Sequence, residues 1–176
     1  MSAVRRVFAG VHGSLGSLQA LRFAADEARN RDARLMPVIT WVPPGGDIAE
    51  RRQPSLQFRK LWRDAAQERL WDAFDRGLGG PPADLAIEAL VVRGPAGPVL
   101  VECADDPDDL LVVGTGRRGL QRLGRRSVSR YCLAHARCPV VAVPPSQLME
   151  ETSHGPHLWP RRQRSPAFRH PEAWLR

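Results

Sequence analysis

Apolar residues occur along this chain in two kinds of spacing, and their alternation predicts the fold. Short continuous runs are typical of strands, and apolar residues three or four apart are typical of one face of a helix. Runs of the first kind predict five strands, at Val4–Val11, Ala33–Val42, Asp84–Val92, Leu110–Val113 and Cys138–Val143. Stretches of the second kind predict four helices between them, at Leu15–Arg31, Ser55–Arg76, Pro98–Ala104 and Ser127–Ala136.

Strands that alternate with helices predict an α/β fold, with a parallel sheet and helices on both of its faces. In open sheets of this kind, ligands bind at the edge where the strands have their carboxyl ends. The turn His12–Ser14 and the glycine-rich loop Gly114–Arg126 should both lie at that edge. Glycines allow close approach of backbone N–H groups, and a helix N-terminus adds partial positive charge, so we expect a nucleotide or phosphate pocket there.

Three local features qualify this picture. Pro37 lies inside the second strand and cannot donate to a ladder, so it predicts a bulge or an unpaired position. The composition of Pro43–Pro54 predicts a loop. The helix that follows carries aromatic residues at a spacing that favours core packing over base stacking, and these are Phe58, Trp62, Trp71 and Phe74.

Few residues have the spacing that metal or redox chemistry needs. Cys103, Cys132 and Cys138 form no CxxC pair, so buried structural thiols are expected. An acidic run lies before the fourth strand, on the side opposite to the expected ligand edge, and we interpret it as a solvated loop rather than a metal site. Its members are Asp105, Asp106, Asp108 and Asp109.

The charge of the chain is strongly positive. Its 176 residues carry a formal net charge of +7, and Lys60 is the one lysine among 26 basic residues. Basic patches alone are non-specific, so nucleic-acid binding is considered but not favoured. No apolar run reaches the roughly 18 residues of a membrane span. The N-terminal apolar run is too short for a signal peptide, so we predict a cytoplasmic protein without membrane contact.

Three stretches of the chain resemble the universal stress protein family. They read VFAGVHGSLGSLQALRFAADEA, VVRGPAGPVLVECA, and LLVVGTGRRG followed by SVSRYCLAHARCPVVAV, within about Arg5–Pro145. The resemblance implies a five-stranded parallel sheet of order 3-2-1-4-5, a layering similar to flavodoxin and the adenine nucleotide alpha hydrolases. It also implies a role in stress response and a homodimer joined through Cys138–Val143.

The members of that family that bind ATP carry G-x2-G-x9-G-[ST] after strand four, and an aspartate after strand one. Here one residue separates Gly114 from Gly116, Arg126 replaces the last glycine, Ser127 is kept, and His12 replaces the aspartate. ATP is therefore the candidate cofactor at an altered site. The candidate contacts are Val11, His12, Val38, Gly114, Gly116, Gly119, Arg126, Ser127 and Val128.

Two further interpretations stay open beside a nucleotide-binding stress-response module. One is a module that interacts with an unknown protein partner and binds no ATP, and the other is a basic protein associated with nucleic acid. No nucleophile–base pair, paired acid–base carboxylates or Walker loop is present at the expected ligand edge, so dedicated catalysis is not expected.

The composition changes after the fifth strand. Residues 1–146 are predicted to form the domain, and residues 147–176 a proline- and arginine-rich tail. Such a segment buries little apolar surface, so we expect disorder or short contacts made by Trp159, Phe168 and Trp174. An arm that binds an acidic partner or nucleic acid is the alternative.

Overall fold

The computed structural model describes residues 4–52, 54–115 and 127–145. Within them, five strands and five helices follow one another along the chain. They are β1 Arg6–Val11, α1 Leu15–Arg31, β2 Arg34–Trp41, α2 Gly46–Arg52, α3 Leu56–Leu78, β3 Leu90–Arg93, α4 Ala96–Cys103, β4 Asp109–Gly114, α5 Val128–His135 and β5 Val140–Val143.

The strands form one parallel sheet in the order β3-β2-β1-β4-β5, which confirms the predicted fold class. Because all pairs are parallel, the carboxyl ends of the strands share one edge, which we call the carboxyl edge. The predicted domain boundary at residue 146 stays a prediction, because residues 146–176 lie outside the described residues.

Helices cover both faces of the sheet, because the strands are apolar on both sides. Val7, Ala9 and Val11 of β1 enter the hydrophobic cluster beneath α1 and α3. Phe8, between them, enters the cluster beneath α4 and α5. Helix α1 meets the sheet mainly through alanines, which are small enough to allow close packing. These are Ala20, Ala24, Ala25 and Ala28, all fully buried.

Pro37 interrupts one ladder without producing a bulge. The N–H and C=O groups of Leu35 both bond on the β3 side, at 2.9 Å each. Pro37 lies two residues further, so its nitrogen faces the same side and has no hydrogen to donate. Pairing therefore stops after the bridge between Leu35 and Ile87 and resumes at Val38 opposite Leu90, with equal spacing on both strands. The predicted strand Asp84–Val92 is consequently reduced to β3.

The predicted loop Pro43–Pro54 was wrong, because its second half is the helix α2. A turn closed by the bond from the Gly46 N–H to the Pro43 carbonyl oxygen, at 2.9 Å, precedes the helix. Glu50 holds α2 in place, because its buried carboxylate accepts hydrogen bonds from the guanidinium groups of Arg59 and Arg93.

Helix α3 is longer than the sheet face that it covers. Its buried residues begin at Ala66, so the first part of the helix projects beyond the carboxyl edge. The prediction that Phe58 belongs to the core was therefore wrong, since its side chain is exposed, whereas Phe74 is fully buried. Trp71 packs against the core and is half-buried.

The interpretation of the acidic run as a solvated loop was wrong for Asp109. This carboxylate is buried, and the Arg6 guanidinium donates two hydrogen bonds to it, each 2.8 Å long. The Asp106 N–H donates a further bond to the Asp109 carboxylate at 3.2 Å. This paired charge ties the start of β1 to the start of β4, at the edge opposite to the carboxyl edge.

Candidate functional site

The turn after β1 is closed by its own side chains. The Ser14 N–H donates to His12 Nδ1 at 3.1 Å, and the Ser17 N–H donates to Ser14 Oγ at 3.3 Å, which caps helix α1. The His12 N–H donates in turn to Ser17 Oγ at 3.4 Å. An aspartate at position 12 would accept the same Ser14 N–H through a carboxylate oxygen. His12 therefore keeps the shape of the turn without its negative charge.

The start of α1 lies directly against the end of β4. A Cβ on Gly114 would overlap the Gly16 carbonyl and lie 2.7 Å from the Ser17 nitrogen. Conversely, a Cβ on Gly16 would lie 2.5 Å from the Thr115 carbonyl oxygen. The two turns thus meet backbone to backbone at the carboxyl edge. The close packing of these two turns therefore requires glycine at position 114, independently of any contact that Gly114 makes with a ligand.

The exit of β4 is also fixed from the other side. The Thr115 N–H donates to the Val143 carbonyl oxygen at 2.7 Å, and the Thr115 hydroxyl approaches the same oxygen at 3.4 Å. These bonds attach the second residue of the glycine-rich loop to the last residue of β5. The loop therefore starts from a fixed position between β1 and β5.

Helix α5 begins at the same edge, because it runs back antiparallel to the strands. Its N-cap, Ser127, makes no capping bond to the backbone, and its hydroxyl lies 2.8 Å from that of the buried Ser129. Val128 is half-buried and packs against the cluster beneath α4 and α5. Ser127 and the first N–H groups of α5 thus lie at the carboxyl edge.

Five of the nine predicted site residues lie at the carboxyl edge, one lies in the core, and three lie outside the described residues. Val11, His12 and Gly114 lie at the carboxyl edge, and Ser127 with Val128 begins α5. Val38 lies within β2, with a side chain only 1% exposed in the core cluster. The remaining predicted contacts, Gly116, Gly119 and Arg126, lie outside the described residues.

Sequence reasoning missed a polar and aromatic cluster at the ends of β2 and β3. The guanidinium carbon of Arg93 lies 5.8 Å from the centroid of the Trp41 ring, and the Trp62 ring lies 6.5 Å from the same ring. Glu50 is 4% exposed and joins Arg93 to Arg59 of α3. The local sequence carries no signal of this burial, because Glu50 stands between Ala49 and Arg51 in a stretch with the composition of a loop.

The cysteines lie in surroundings that suppress thiolate formation. Burial raises the pKa of the Cys132 thiol to about 11, and burial likewise raises the pKa of Cys138 and of the half-buried Cys103. A thiol held in its protonated form is a poor nucleophile and a poor metal ligand. Within residues 4–52, 54–115 and 127–145, no cluster of three or more His, Cys, Asp or Glu side chains could hold a metal ion.

Comparison with known proteins assigns the family. The model of the universal stress protein family matches residues 3–144, and the chain belongs to that family. A universal stress protein of Mycobacterium tuberculosis is 30% identical over 145 residues, which are 80% of this chain and 48% of the relative. The chain thus spans about half the length of the curated relatives that it matches.

Solved structures of the same family share the fold. Universal stress protein UspA from Lactobacillus plantarum superposes with a TM-score of 0.60 at 19% identity, covering 81% of this chain and 99% of that chain. A universal stress protein crystallised in complex with cAMP has a TM-score of 0.52 at 26% identity, covering 82% of this chain and 100% of that chain. Among the helices described for this chain, none is both long and apolar enough to cross a membrane.

Proposed function

We propose that this chain binds an adenine nucleotide at the carboxyl edge, between the turn after β1 and the end of β4. The observation that carries the proposal is the contact of Gly16 with Gly114, which brings the two turns side by side. The relative that was crystallised with cAMP supports adenine nucleotides as the ligand class. ATP, the cofactor suggested by the loop pattern, and cAMP are the two ligands to compare.

The charges at this edge favour an anion. Neither α1 nor α5 has an acidic residue in its first turn, so the partial positive charge of both N-termini is uncompensated by a carboxylate there. Four of the arginines between Gly114 and Ser127 are candidate phosphate contacts, because guanidinium groups bind phosphate oxygens well. They are Arg117, Arg118, Arg125 and Arg126.

We propose further that the chain acts as a homodimer through Cys138–Val143. Strand β5 is at the end of the strand order, and it pairs with β4 on one side. An edge strand of this kind offers its free backbone groups to a second copy. The protein would then be a cytoplasmic stress-response module, without dedicated catalysis, whose nucleotide state alters how the dimer meets a protein partner.

Titration calorimetry tests the nucleotide site. Protein freed of nucleotide is titrated with ATP and Mg²⁺, and separately with cAMP, before and after the substitution Ser127→Asp. Aspartate is as good an N-cap as serine, so α5 keeps its stability while the added charge repels a phosphate. We expect affinity to fall about tenfold or more, equivalent to about 1.4 kcal/mol.

The matched control is Ser55→Asp, the same substitution at the N-cap of α3, where the Ser55 hydroxyl accepts a bond from the Phe58 N–H. This variant should bind nucleotide as the parent does. An equal loss of nucleotide affinity in Ser127→Asp and Ser55→Asp would show a general effect of the added negative charge. Absence of any heat at millimolar nucleotide would reject the site.

A further inference from the structure

Exposed apolar side chains are concentrated on one stretch of the chain, between the end of β2 and the start of α3. Within the part of the chain that the structure describes, six large apolar side chains are exposed, and five of them lie on this stretch. We call these five the apolar tip, and they are Val42, Ile48, Leu56, Phe58 and Leu61. Single exposed apolar residues are ordinary, whereas such a concentration marks an interaction surface.

The start of α3 carries the apolar tip away from the body of the fold. Helix α3 runs antiparallel to the strands, and its first buried residue is Ala66. Leu56 lies ten positions earlier, about 15 Å away along the helix axis. The N-terminal end of α3 therefore projects beyond the carboxyl edge. Leu56 at this end is 82% exposed, and Ile48 of the preceding helix α2 is 71% exposed.

Aromatic contacts hold the apolar tip against the fold. Phe58 stacks on Trp62 with a centroid distance of 5.9 Å, and the Trp62 ring lies 6.5 Å from that of Trp41 in β2. Phenylalanine, leucine and tryptophan are the apolar residues that helices at a bilayer surface commonly insert. The tip therefore presents suitable side chains from a supported position.

Apolar side chains lie on different sides of the projecting end of α3. Leu56 and Phe58 are two positions apart, which places them on nearly opposite sides of the helix. A rigid flat partner would cover one of them and leave the other in water. A lipid bilayer is fluid and encloses a projecting end on every side. The arrangement therefore favours lipid over a flat protein surface.

The charges beside the apolar tip are mostly positive. Glu50 is buried and already paired with Arg59 and Arg93. The other acidic residues of α2 and of α3 up to residue 64 are Asp47 and Asp64, and four exposed cations outnumber them. The first turn of α3 has no acidic residue, so the partial positive charge of its N-terminus adds to the excess. The four cations are Arg51, Arg52, Lys60 and Arg63.

This charge selects among the possible occupants. The tip of a second copy would bring like charges together, whereas an anionic surface is complementary to the cations. Lysines and arginines near a bilayer that contains anionic lipid strengthen its binding.

The cations of α3 also lie at a suitable height behind the tip. Lys60 and Arg63 follow Leu56 by four and seven positions, about 6 Å and 10 Å along the helix axis. Apolar side chains that bind at a bilayer surface are buried about 5–10 Å deep, at the boundary of headgroups and acyl chains. With Leu56 at that depth, both cations lie at the level of the lipid phosphates.

We propose that the apolar tip inserts into the surface of a bilayer that contains anionic lipid, and that the cations of α2 and α3 contact the lipid phosphates. A peripheral contact needs neither a spanning helix nor a signal peptide, which were the grounds for predicting no membrane contact. The proposal is independent of nucleotide binding, because neither the tip nor these cations belong to the candidate nucleotide site.

Cosedimentation of the full chain with sucrose-loaded vesicles tests the proposal. The vesicles consist of phosphatidylcholine alone or with about 30% phosphatidylglycerol, which supplies the negative charge. Leu56→Gln removes the most exposed apolar side chain of the tip. Leu133→Gln is the matched control, because Leu133 is an exposed leucine of another helix, α5.

A second pair of variants tests the charges. Lys60→Gln with Arg63→Gln removes two cations beside the tip. Arg31→Gln with Arg34→Gln removes two exposed cations at the opposite edge of the sheet, so the two double variants have the same net charge.

We expect the parent chain to bind the anionic vesicles several-fold more tightly than the neutral ones. Leu56→Gln should weaken binding about fivefold or more, because a buried leucine side chain is lost from the lipid, and Leu133→Gln should not weaken it. The double variant of α3 should bind several-fold more weakly than the double variant at the opposite edge. No binding to anionic vesicles, equal binding to both kinds of vesicle, or equal losses within either pair of variants would each overturn the proposal.

Discussion

Gly16 and Gly114 touch backbone to backbone, and this contact joins the first turn of α1 to the end of β4. The two residues are far apart in sequence and lie on neighbouring elements of the folded chain. Their contact leaves the turn after β1 beside the start of the glycine-rich loop. The candidate nucleotide site depends on this arrangement, since each turn alone is an ordinary connection.

The substitution Gly114→Ala should therefore destabilise the protein. The added Cβ would lie 2.7 Å from the Ser17 nitrogen and overlap the Gly16 carbonyl, so helix α1 must move away from the sheet. We expect a loss of about 2–4 kcal/mol in the free energy of unfolding, measured by urea denaturation.

Gly77→Ala is the control for this prediction. It is the same substitution in helix α3, where the nearest atom to the new Cβ would be a Leu21 methyl group at 3.4 Å. Since alanine favours the helix over glycine, stability should change by less than about 1 kcal/mol, or increase. Equal losses in the two variants would contradict the special role of the contact at Gly114.

The direction of the backbone in β5 allows a selective test of the proposed dimer. The carbonyl oxygens of Pro139 and Val143 both accept bonds from β4, so Ala142 directs its N–H to the free edge. Ala142→Pro removes that donor and leaves the pairing with β4 intact. Light scattering after size exclusion should show the dimer dissociating at a protein concentration about tenfold higher or more.

The neighbouring substitution Val141→Pro provides the comparison, because the N–H that it removes faces β4. It should lower the free energy of unfolding by more than Ala142→Pro does. A dimer that survives Ala142→Pro unchanged would place the contact between copies elsewhere.

Arg6 should be important for stability, although its pair with Asp109 lies far from the candidate site. The two hydrogen bonds to the Asp109 carboxylate are the largest cause of the raised pKa of the Arg6 guanidinium. Arg6→Met keeps the apolar stem but leaves a buried carboxylate without its cation. We expect a loss of about 2–4 kcal/mol in the free energy of unfolding.

Arg31→Met removes a comparable pair at the surface, since Arg31 and Glu27 are separated by 2.7 Å on one face of α1. Exposed pairs of this kind contribute little, so the loss should stay below about 1 kcal/mol. Chemical denaturation of both variants, at low and at high salt, measures these losses in the free energy of unfolding. Similar losses of stability in Arg6→Met and Arg31→Met would show that the burial of Asp109 does not increase the cost of removing its cation.

Cys132 should make the protein less stable at alkaline pH. The pKa of its thiol is about 11 in the folded chain, against an ordinary value of 9.0, because burial disfavours the thiolate. The unfolded chain therefore releases this proton first as the pH rises. Stability should be unaffected below about pH 9 and should decline up to about pH 11, by an amount on the order of 2 kcal/mol.

The comparison for this prediction is Cys132→Ala, which lowers stability at every pH but removes the thiol that titrates. Its free energy of unfolding should fall less steeply between pH 9 and pH 11 than that of the parent. Identical slopes would show that Cys132 does not ionise on unfolding in this range.

The sequence predicted the sheet because its strands are continuous apolar runs and its helices are periodic. Such patterns report which residues of one element are buried together. Val7, Phe8, Ala9 and Val11 are buried, and so are the alanines of α1. The exact extent of β3 could not be predicted from the sequence, because it depends on which side of β2 the Pro37 nitrogen faces. That direction is set by the register of the pairing and not by the local sequence.

The errors in the candidate site and its surroundings have a common physical cause. The spacing of its aromatic residues predicted core packing for Phe58, but α3 extends further than the sheet beneath it, and Leu56, Phe58 and Leu61 are exposed. Likewise, Glu50 is buried only because Arg59 and Arg93 approach from other elements. Contacts between parts of the chain that are distant in sequence decide whether such residues are buried or exposed.

The most direct test of the nucleotide site is hydrogen exchange followed by mass spectrometry, on the full chain with and without saturating cAMP. We predict slower exchange in peptides that contain residues 12–18, 114–115 and 127–131, with the first turns of α3 unchanged. Binding that slows exchange only elsewhere, or saturating nucleotide that slows it nowhere, would contradict a nucleotide site at the carboxyl edge.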